Sequence, residues 1–367
     1  MDQLHDANPL ERQLVAKATA ARIPITAAFE LTPGCNMRCD MCYIRLGKEE
    51  IEKKGGIRRS DYWLQQAEEL KNLGTLFILL TGGEPLLHPD FSEIYTRLRE
   101  NGFILTINTN GTLITEETAQ MFKRLKPRRV NVTLYGASNE TYRKLCHTPN
   151  GFDQCMQGLL LLKENNIDTK LNLSIVKENL HEYTQLLDLA RSLDIPAEVN
   201  SYMFACKRID CKDGYKITDA RLDAIEAAKA EVDYLRYKYG KNFKQLAQEY
   251  VKEPLTPRQM PLTLHCRAGK SSLWLNWKGE MTACCTMEHP METIDGTPLK
   301  EKWQKIVAKC TSLTPHKECR ECKLANKCNV CYSSATHEKQ AGGSIDYVCQ
   351  MTKTKIEEIT KAANEED

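Results

Sequence analysis

Between residues 25 and 203 the chain alternates six short apolar, strand-forming runs with five amphipathic stretches of helical period. This alternation limits the possible folds more than any other feature. The strand candidates are 25–31, 76–81, 103–108, 129–135, 170–176 and 197–203, and the helix candidates between them are 59–73, 89–101, 115–125, 152–165 and 180–193. Asn101-Gly102 and Asn165-Asn166 close two of these helices with residues that tolerate a left-handed backbone. A helix between each pair of strands returns the chain to the same sheet end, so the strands must run parallel. The expected fold class is α/β, a partial (β/α)6 barrel with its functional groups where the strands' carboxyl ends meet the loops.

Residues 1–24 form a polar extension without the apolar core of a secretory signal. Residues 204–261 read as a helical bridge, charged and proline-free over 215–250 and then punctuated by Pro254, Pro257 and Pro261. Residues 262–355 are expected to be a small cysteine-rich iron–sulfur domain, too poor in apolar mass to fold without metal, and 356–367 a polar tail. A formal net charge of +2 leaves no electrostatic footprint for nucleic acid, and no apolar run is long enough to span a bilayer. The expectation is a cytoplasmic protein with neither nucleic acid nor membrane as partner.

In such a compartment sixteen cysteines point to metal rather than to disulfides. Three lie at 35–42, four at 146–211 and nine at 266–349. The first group, Cys35-Asn36-Met37-Arg38-Cys39-Asp40-Met41-Cys42, directly follows the first strand candidate. So tight a loop can fold three sulfurs around one face of a small inorganic cluster and leave the fourth corner uncovered. An open corner suits a reactive centre, since a cluster that only carries electrons is usually closed by four ligands. A zinc half-site is the alternative, but structural zinc wants four closed ligands, and no second C-x2-C lies within reach in this half of the chain.

Together with Thr81-Gly82-Gly83-Glu84-Pro85 after the second strand candidate, Cys35, Cys39 and Cys42 resemble the radical S-adenosylmethionine (SAM) enzymes. The resemblance implies a 4Fe–4S cluster whose free iron binds the methionine end of SAM, with Gly82, Gly83 and Glu84 meeting its amino group. It further suggests Asn108 in the TINTNG turn, Thr133 near the ribose or carboxylate, Arg143 as partner of the carboxylate, and Asn172 and Ser174 at the ribose hydroxyls. Met41 stands where the family more often has an aromatic residue, and a methionine can still pack against a ring.

The later cysteines read Cys266-x12-Gly279-x4-Cys284, then Cys319-x2-Cys322-x5-Cys328-x2-Cys331, then Cys349 after seventeen residues. This resembles the SPASM extension of peptide- and protein-modifying radical SAM enzymes, although the last short gap is two residues where the family pattern more often has three. The resemblance implies two auxiliary iron–sulfur clusters, the outer held by Cys319, Cys322, Cys328 and Cys349, the inner by Cys266, Cys284 and Cys331. The fourth inner position is left open, or goes to Cys285 or Cys310. Zinc is the competing reading of the paired C-x2-C knuckles. Cys146, Cys155, Cys206 and Cys211 read as ordinary thiols.

The function implied is cleavage of SAM to a 5′-deoxyadenosyl radical that modifies a peptide or protein side chain, forming a thioether or carbon–carbon crosslink in a ribosomally made precursor peptide. Cys284 and Cys285 are the candidate catalytic residues. A flavodoxin- or ferredoxin-like reductant is expected, and a separate peptide-recognition protein, because few residues precede the first strand candidate. The alternatives are modification of a tetrapyrrole side chain, sulfatase-type maturation, and a non-catalytic metal-binding scaffold. Sulfatase-type maturation is disfavoured because Cys285 stands where those relatives are thought to use an aspartate.

Overall fold

The computed structural model describes residues 9–205, 217–257, 264 and 266–365, and Cys206 and Cys211 lie outside them. Each of the six apolar runs contains one strand: β1 (Thr26–Glu30), β2 (Phe77–Thr81), β3 (Ile104–Thr109), β4 (Arg129–Leu134), β5 (Thr169–Ser174) and β6 (Ala197–Asn200). They lie side by side in chain order and all pair in parallel, as a partial (β/α)6 barrel requires.

The sheet also continues past β1. Strand β7 (Ser272–Leu275) pairs in parallel with β1, and β8 (Glu280–Thr282) and β9 (Met291–Thr293) follow antiparallel. The order is β6-β5-β4-β3-β2-β1-β7-β8-β9. The cysteine-rich segment therefore extends the sheet of the first unit, and Leu273, Leu275, Met281, Leu299, Trp303 and Ile306 belong to the main core. The expectation that residues 262–355 lack apolar mass fails for this part, because these side chains bury themselves on a sheet supplied by the rest of the chain.

Along β4 and β5 the two faces differ. Val130, Val132, Leu134, Leu171 and Leu173 are fully buried and share the core with the helix residues Leu159, Leu162 and Leu186. Arg129, Asn131, Thr133, Lys170, Asn172 and Ser174 alternate with them and are half-buried. A parallel sheet covered on both faces reads as continuous apolar sequence. Here period two leaves a polar face, which lines the interior of the partial barrel.

The amino-terminal helix Pro9–Ala21 packs Val15 and Ala18 against Ile25 and Phe77. In the bridge, the helix Ala224–Tyr239 starts at a capping box, with Asp223 Oδ1 accepting from the Ile225 and Glu226 backbone N–H at 2.8 Å each. The end of the chain departs from expectation. The helix Asp346–Asn364 is continuous, and its Ile359, Ala362 and Ala363 form a buried cluster with Val232, Phe243 and Ala247. Two alanines give little hydrophobic signal in sequence, yet they let helices approach closely.

A buried polar network ties β6 to the cysteine-rich segment. Arg221 donates to both carboxylate oxygens of Glu338 at 2.7 and 3.0 Å, and Tyr202 Oη donates to the same carboxylate at 2.8 Å. The Arg221 guanidinium also stacks 3.7 Å from the Tyr347 ring centroid. Removing one partner of a buried pair strands the other charge, at a cost of about 3–5 kcal/mol. Glu338→Ala is accordingly expected to destabilise the metal-loaded protein by about 3 kcal/mol or more in urea unfolding, with Glu338→Gln between it and the parent.

Candidate active site

The cysteine loop leaves β1 through Thr32-Pro33-Gly34 and is fastened on two sides. On one side the β1–β2 pairing runs on beyond the strands: Leu31 N donates to Thr81 O (2.9 Å), Gly83 N to Thr32 O (2.7 Å) and Glu84 N to Gly34 O (2.9 Å). A Cβ on Gly82 would lie 2.4 Å from Thr32 O, and one on Gly83 would lie 2.4 Å from Gly34 O and 2.7 Å from Pro33 O. The glycine pair is therefore demanded by the backbone of the cysteine loop itself. On the other side the helix Asn139–Leu145 offers its last carbonyls, Leu145 O accepting from Asp40 N (3.0 Å) and Cys146 O from Arg38 N (2.9 Å). Asp40 also meets His147 Nε2 at 2.7 Å.

Within the loop, Met37 and Met41 turn into the core, so Met41 serves packing. Backbone N–H groups point at the sulfurs, Met37 N at Cys35 Sγ (3.4 Å) and Arg45 N at Cys42 Sγ (3.3 Å). Burial pushes the Cys35 thiol up to about 12 and raises Cys42. A hydrogen bond with the Cys146 thiol, followed by burial, raises Cys39. The thiols also feel one another, Cys35 being affected by Cys39 and Cys42. Three buried, mutually repelling thiolates need a cationic group among them, and N–H donors aimed at sulfur suit cluster-bound thiolate. Among the described residues no group of three His, Cys, Asp or Glu side chains is placed to hold a single metal ion.

Glu84 links the ends of two strands. Its carboxylate is fully buried and accepts from Leu86 N (3.1 Å), Thr109 Oγ1 (2.8 Å) and Asn110 N (2.7 Å), tying the end of β2 to the end of β3. Burial pushes this carboxyl up to about 7. Asn110 then reaches back to the loop, its Nδ2 donating to Asn36 Oδ1 (2.9 Å) and lying 3.7 Å from Cys35 Sγ. Asn108, the residue singled out in sequence, instead accepts from Asn131 Nδ2 on the polar face (2.8 Å). Asn110, two residues further on and just past β3, is the asparagine of the TINTNG turn that contacts the cysteine loop.

Thr133 and Asn172 are register partners on β4 and β5, half-buried on the polar face, with Ser174 next on the same side. Arg143 is exposed on its helix and is not gathered with these groups. Sequence reading also missed three residues. Tyr135, half-buried, hydrogen-bonds Cys39, and Cys146 does the same. Glu182 accepts from Ala137 N (2.7 Å) and Ser138 Oγ (2.6 Å), fixing the turn after β4.

The later cysteines fall into two groups. Cys266 opens the turn into β7, Cys284 follows β8, and Cys331 caps the helix Tyr332–Gly342, with Ser334 N 3.4 Å from its sulfur. Cys266 is close enough to Cys284 and Cys331 to feel both charges. Separately, Cys319 is affected by Cys328, Cys349 and Cys322, and burial pushes it up to about 11. Thr352 Oγ1 and Val330 N approach Cys328 Sγ at 3.3 and 3.4 Å. The turn after Cys284 is held from the side, with Thr286 O accepting from Ser333 Oγ (2.8 Å) and His337 Nε2 (2.5 Å). A cavity of ≈ 1130 Å³ runs along β4–β6 to Cys266 and Cys331. Four of its cations are matched by acids: Arg128 by Glu11 (2.9 Å), Arg129 by Asp168 (2.6 Å), Lys170 by Glu198 (2.5 Å) and Lys355 by Glu231 (3.0 Å).

Compared with known proteins, residues 29–190 match the Radical SAM superfamily. The AdoMet-dependent heme synthase of Methanosarcina barkeri is 25% identical over 329 residues, covering 87% of this chain and 90% of that protein. The antilisterial bacteriocin subtilosin biosynthesis protein AlbA of Bacillus subtilis is 25% identical over 322 residues, covering 84% of this chain and 67% of AlbA. In structure, Streptococcus suis SuiB bound to its precursor peptide SuiA superposes with a TM-score of 0.68 at 17% identity, over 94% of this chain and 81% of SuiB, a likeness of fold.

The glycine contacts generate a direct test. Gly83→Ala forces the cysteine loop off the β2 turn and is expected to lower iron in the anaerobically reconstituted protein by about four atoms per chain, one 4Fe–4S cluster. Gly342→Ala, whose Cβ meets nothing within 4 Å, should leave the iron content at the parent level.

Proposed function

From the match of residues 29–190 to the Radical SAM superfamily and the SPASM-like spacing of the later cysteines, we propose that the chain is a radical SAM enzyme that modifies a peptide or protein side chain, forming a thioether or carbon–carbon crosslink in a ribosomally made precursor. When bound, the cluster and SAM together supply a 5′-deoxyadenosyl radical that removes a hydrogen atom from an unactivated C–H bond. In this reading Cys35, Cys39 and Cys42 hold the cluster, and their N–H donors and Tyr135 stabilise the thiolates. The backbone of Gly82-Gly83 and the polar-face groups Thr133, Asn172 and Ser174 receive SAM. Glu84 positions Asn110 beside the loop. Cys319, Cys322, Cys328 and Cys349 hold an outer auxiliary cluster, and Cys266, Cys284 and Cys331 belong to an inner one.

The observation that carries the substrate class is the cavity. It joins Asn131 and Lys170 on the polar face of the barrel to Cys266 and Cys331, so a chain lying along it passes beside two of the auxiliary sulfurs. A net oxidation needs a cluster within reach of the substrate, because the second electron must leave where a cluster can accept it. The reductant is a flavodoxin- or ferredoxin-like protein.

The M. barkeri relative favours a second reading, modification of a tetrapyrrole side chain. The charges on the cavity wall weigh against it. A porphyrin carries several carboxylates, and four of the cavity's cations, Arg128, Arg129, Lys170 and Lys355, are each already engaged by a protein carboxylate. A substrate acid meeting any of these four would have to displace its partner.

The reading is tested with anaerobically reconstituted, dithionite-reduced protein. 5′-Deoxyadenosine is expected, and its formation is lost in Cys39→Ala. A Cys-rich peptide encoded beside this chain should lose two hydrogen atoms in the mass spectrum, while an iron porphyrin incubated in parallel stays unchanged. Conversion of the porphyrin with the peptide untouched would replace this reading by the second one.

A further inference from the structure

The inner thiol group has three cysteines whose spacing matches the family pattern, and the fold brings a fourth to them. The helix Leu299–Ser312 buries Leu299, Lys302, Trp303, Ile306 and Cys310 as one stripe. At the end of that stripe Cys310 rests on Gly269. A Cβ built on Gly269 would come 2.5 Å from Cys310 Sγ, 2.7 Å from Cys310 Cβ and 3.7 Å from Ala283 Cβ. Gly269 lies three residues after Cys266, with φ +64°, in a turn closed by Lys270 N and Ser271 N on Arg267 O (2.9 Å each). Ala283 directly precedes Cys284. The Cys310 sulfur thus sits between the turn that follows Cys266 and the residue before Cys284, where a glycine has left room for it.

Resting on the reading of residues 266–349 as cluster-binding, we propose that Cys310 is the fourth protein ligand of the inner iron–sulfur cluster, alongside Cys266, Cys284 and Cys331. The charges of Cys284 and Cys266 both reach Cys310, and Cys266 in turn faces Cys284 and Cys331, so the four thiols converge from four segments of the chain. Cys310 is 7% exposed. Cys285, the other candidate, hydrogen-bonds through its thiol to its chain neighbour Cys284. With Cys310 in place the inner cluster is closed by four thiolates. It then has no iron for a substrate sulfur and serves to accept an electron, as fully ligated clusters do, while Cys285 stays outside the ligand set.

The test uses the full chain in a Cys35→Ala, Cys39→Ala, Cys42→Ala background, so that only auxiliary iron is counted after anaerobic reconstitution with iron and sulfide. The background protein is expected to hold about eight irons, and the further change Cys310→Ala to lose between one and four of them, with a 3Fe–4S electron paramagnetic resonance signal where a single iron is lost. Cys310→Ser should behave like Cys310→Ala, whereas Cys285→Ala keeps the full complement. Ile306→Ala thins the same buried stripe without removing a sulfur and should also keep its iron; an equal loss there would make Cys310 a packing residue and overturn the proposal. Unchanged iron and an unchanged spectrum in Cys310→Ala would overturn it as well, whether Cys285→Ala then loses iron or not. A background protein with about four irons or fewer, or with zinc, would instead defeat the two-cluster reading beneath the proposal, and the proposal with it.

Discussion

The contact on which the site rests is between two stretches of bare backbone, Gly82-Gly83 and Thr32–Gly34. Because neither glycine carries a Cβ, the β1–β2 hydrogen bonding continues past the strands and takes the start of the cysteine loop into the sheet. The first thiol is then held about as firmly as a strand residue. From there the order passes around a closed circuit. Glu84 carries it to Thr109 and Asn110 at the end of β3, and Asn110 returns it to Asn36 and Cys35. A buried carboxylate with its donors supplied by the protein is a positioning device, and a loop that must present three sulfurs to one cluster needs such support.

The second constraint is the pairing of β7 with β1. It makes β1 the shared strand between the cysteine loop at its carboxyl end and the auxiliary thiols that follow β7 and β8. Side chains reinforce it: Trp274 Nε1 donates to Glu30 Oε2 at 2.7 Å, and Arg267 to Thr26 Oγ1 at 2.9 Å. Thiol groups built on neighbouring strands of one sheet keep a fixed separation. Thiol groups on independently moving domains would not.

Much of this was legible in the chain because parallel β/α units repeat a strong signal, and all six strand candidates contain a strand. The cysteine loop was legible because a short spacing forces its thiols together in any fold. What the sequence hid were contacts made between distant elements. Strand β7 is four residues long and its apolar partners lie on β1, so nothing local announces it. The donors that Glu84 takes from Thr109 and Asn110 could not be read locally, because they lie at the end of the next strand. Asn108 and Asn110 share one parity, and only the end of β3 decides which of them reaches Cys35. Cys146 read as an ordinary thiol because Cys39 lies more than a hundred residues earlier. The final helix looked polar because its buried seam is made largely of alanine.

The dependence of the cysteine-rich segment on metal also divides along structural lines. From Cys266 to Ser312 the chain buries Trp277, Met281, Leu299, Trp303 and Ile306, and most of these join the main core. Hydrophobic burial on that scale orders a segment without help from metal. From residue 313 to 350 the apolar support is slight: Ala335, Ile345 and Val348 form a small cluster of their own, and the side chains packed on it include Cys319 and Cys349. Two of the four outer thiols are thus part of the only local core that this stretch shows among the described residues. Thiolates at Cys319 and Cys349 would repel one another there, in a core too small to absorb the cost. The network of Arg221, Glu338, Tyr202 and Tyr347 then acts as the anchor that joins this weakly cored stretch to β6. The inner thiols stand on the well-cored side of that divide, where a helix packed for hydrophobic reasons can deliver Cys310 to a place that metal alone did not organise.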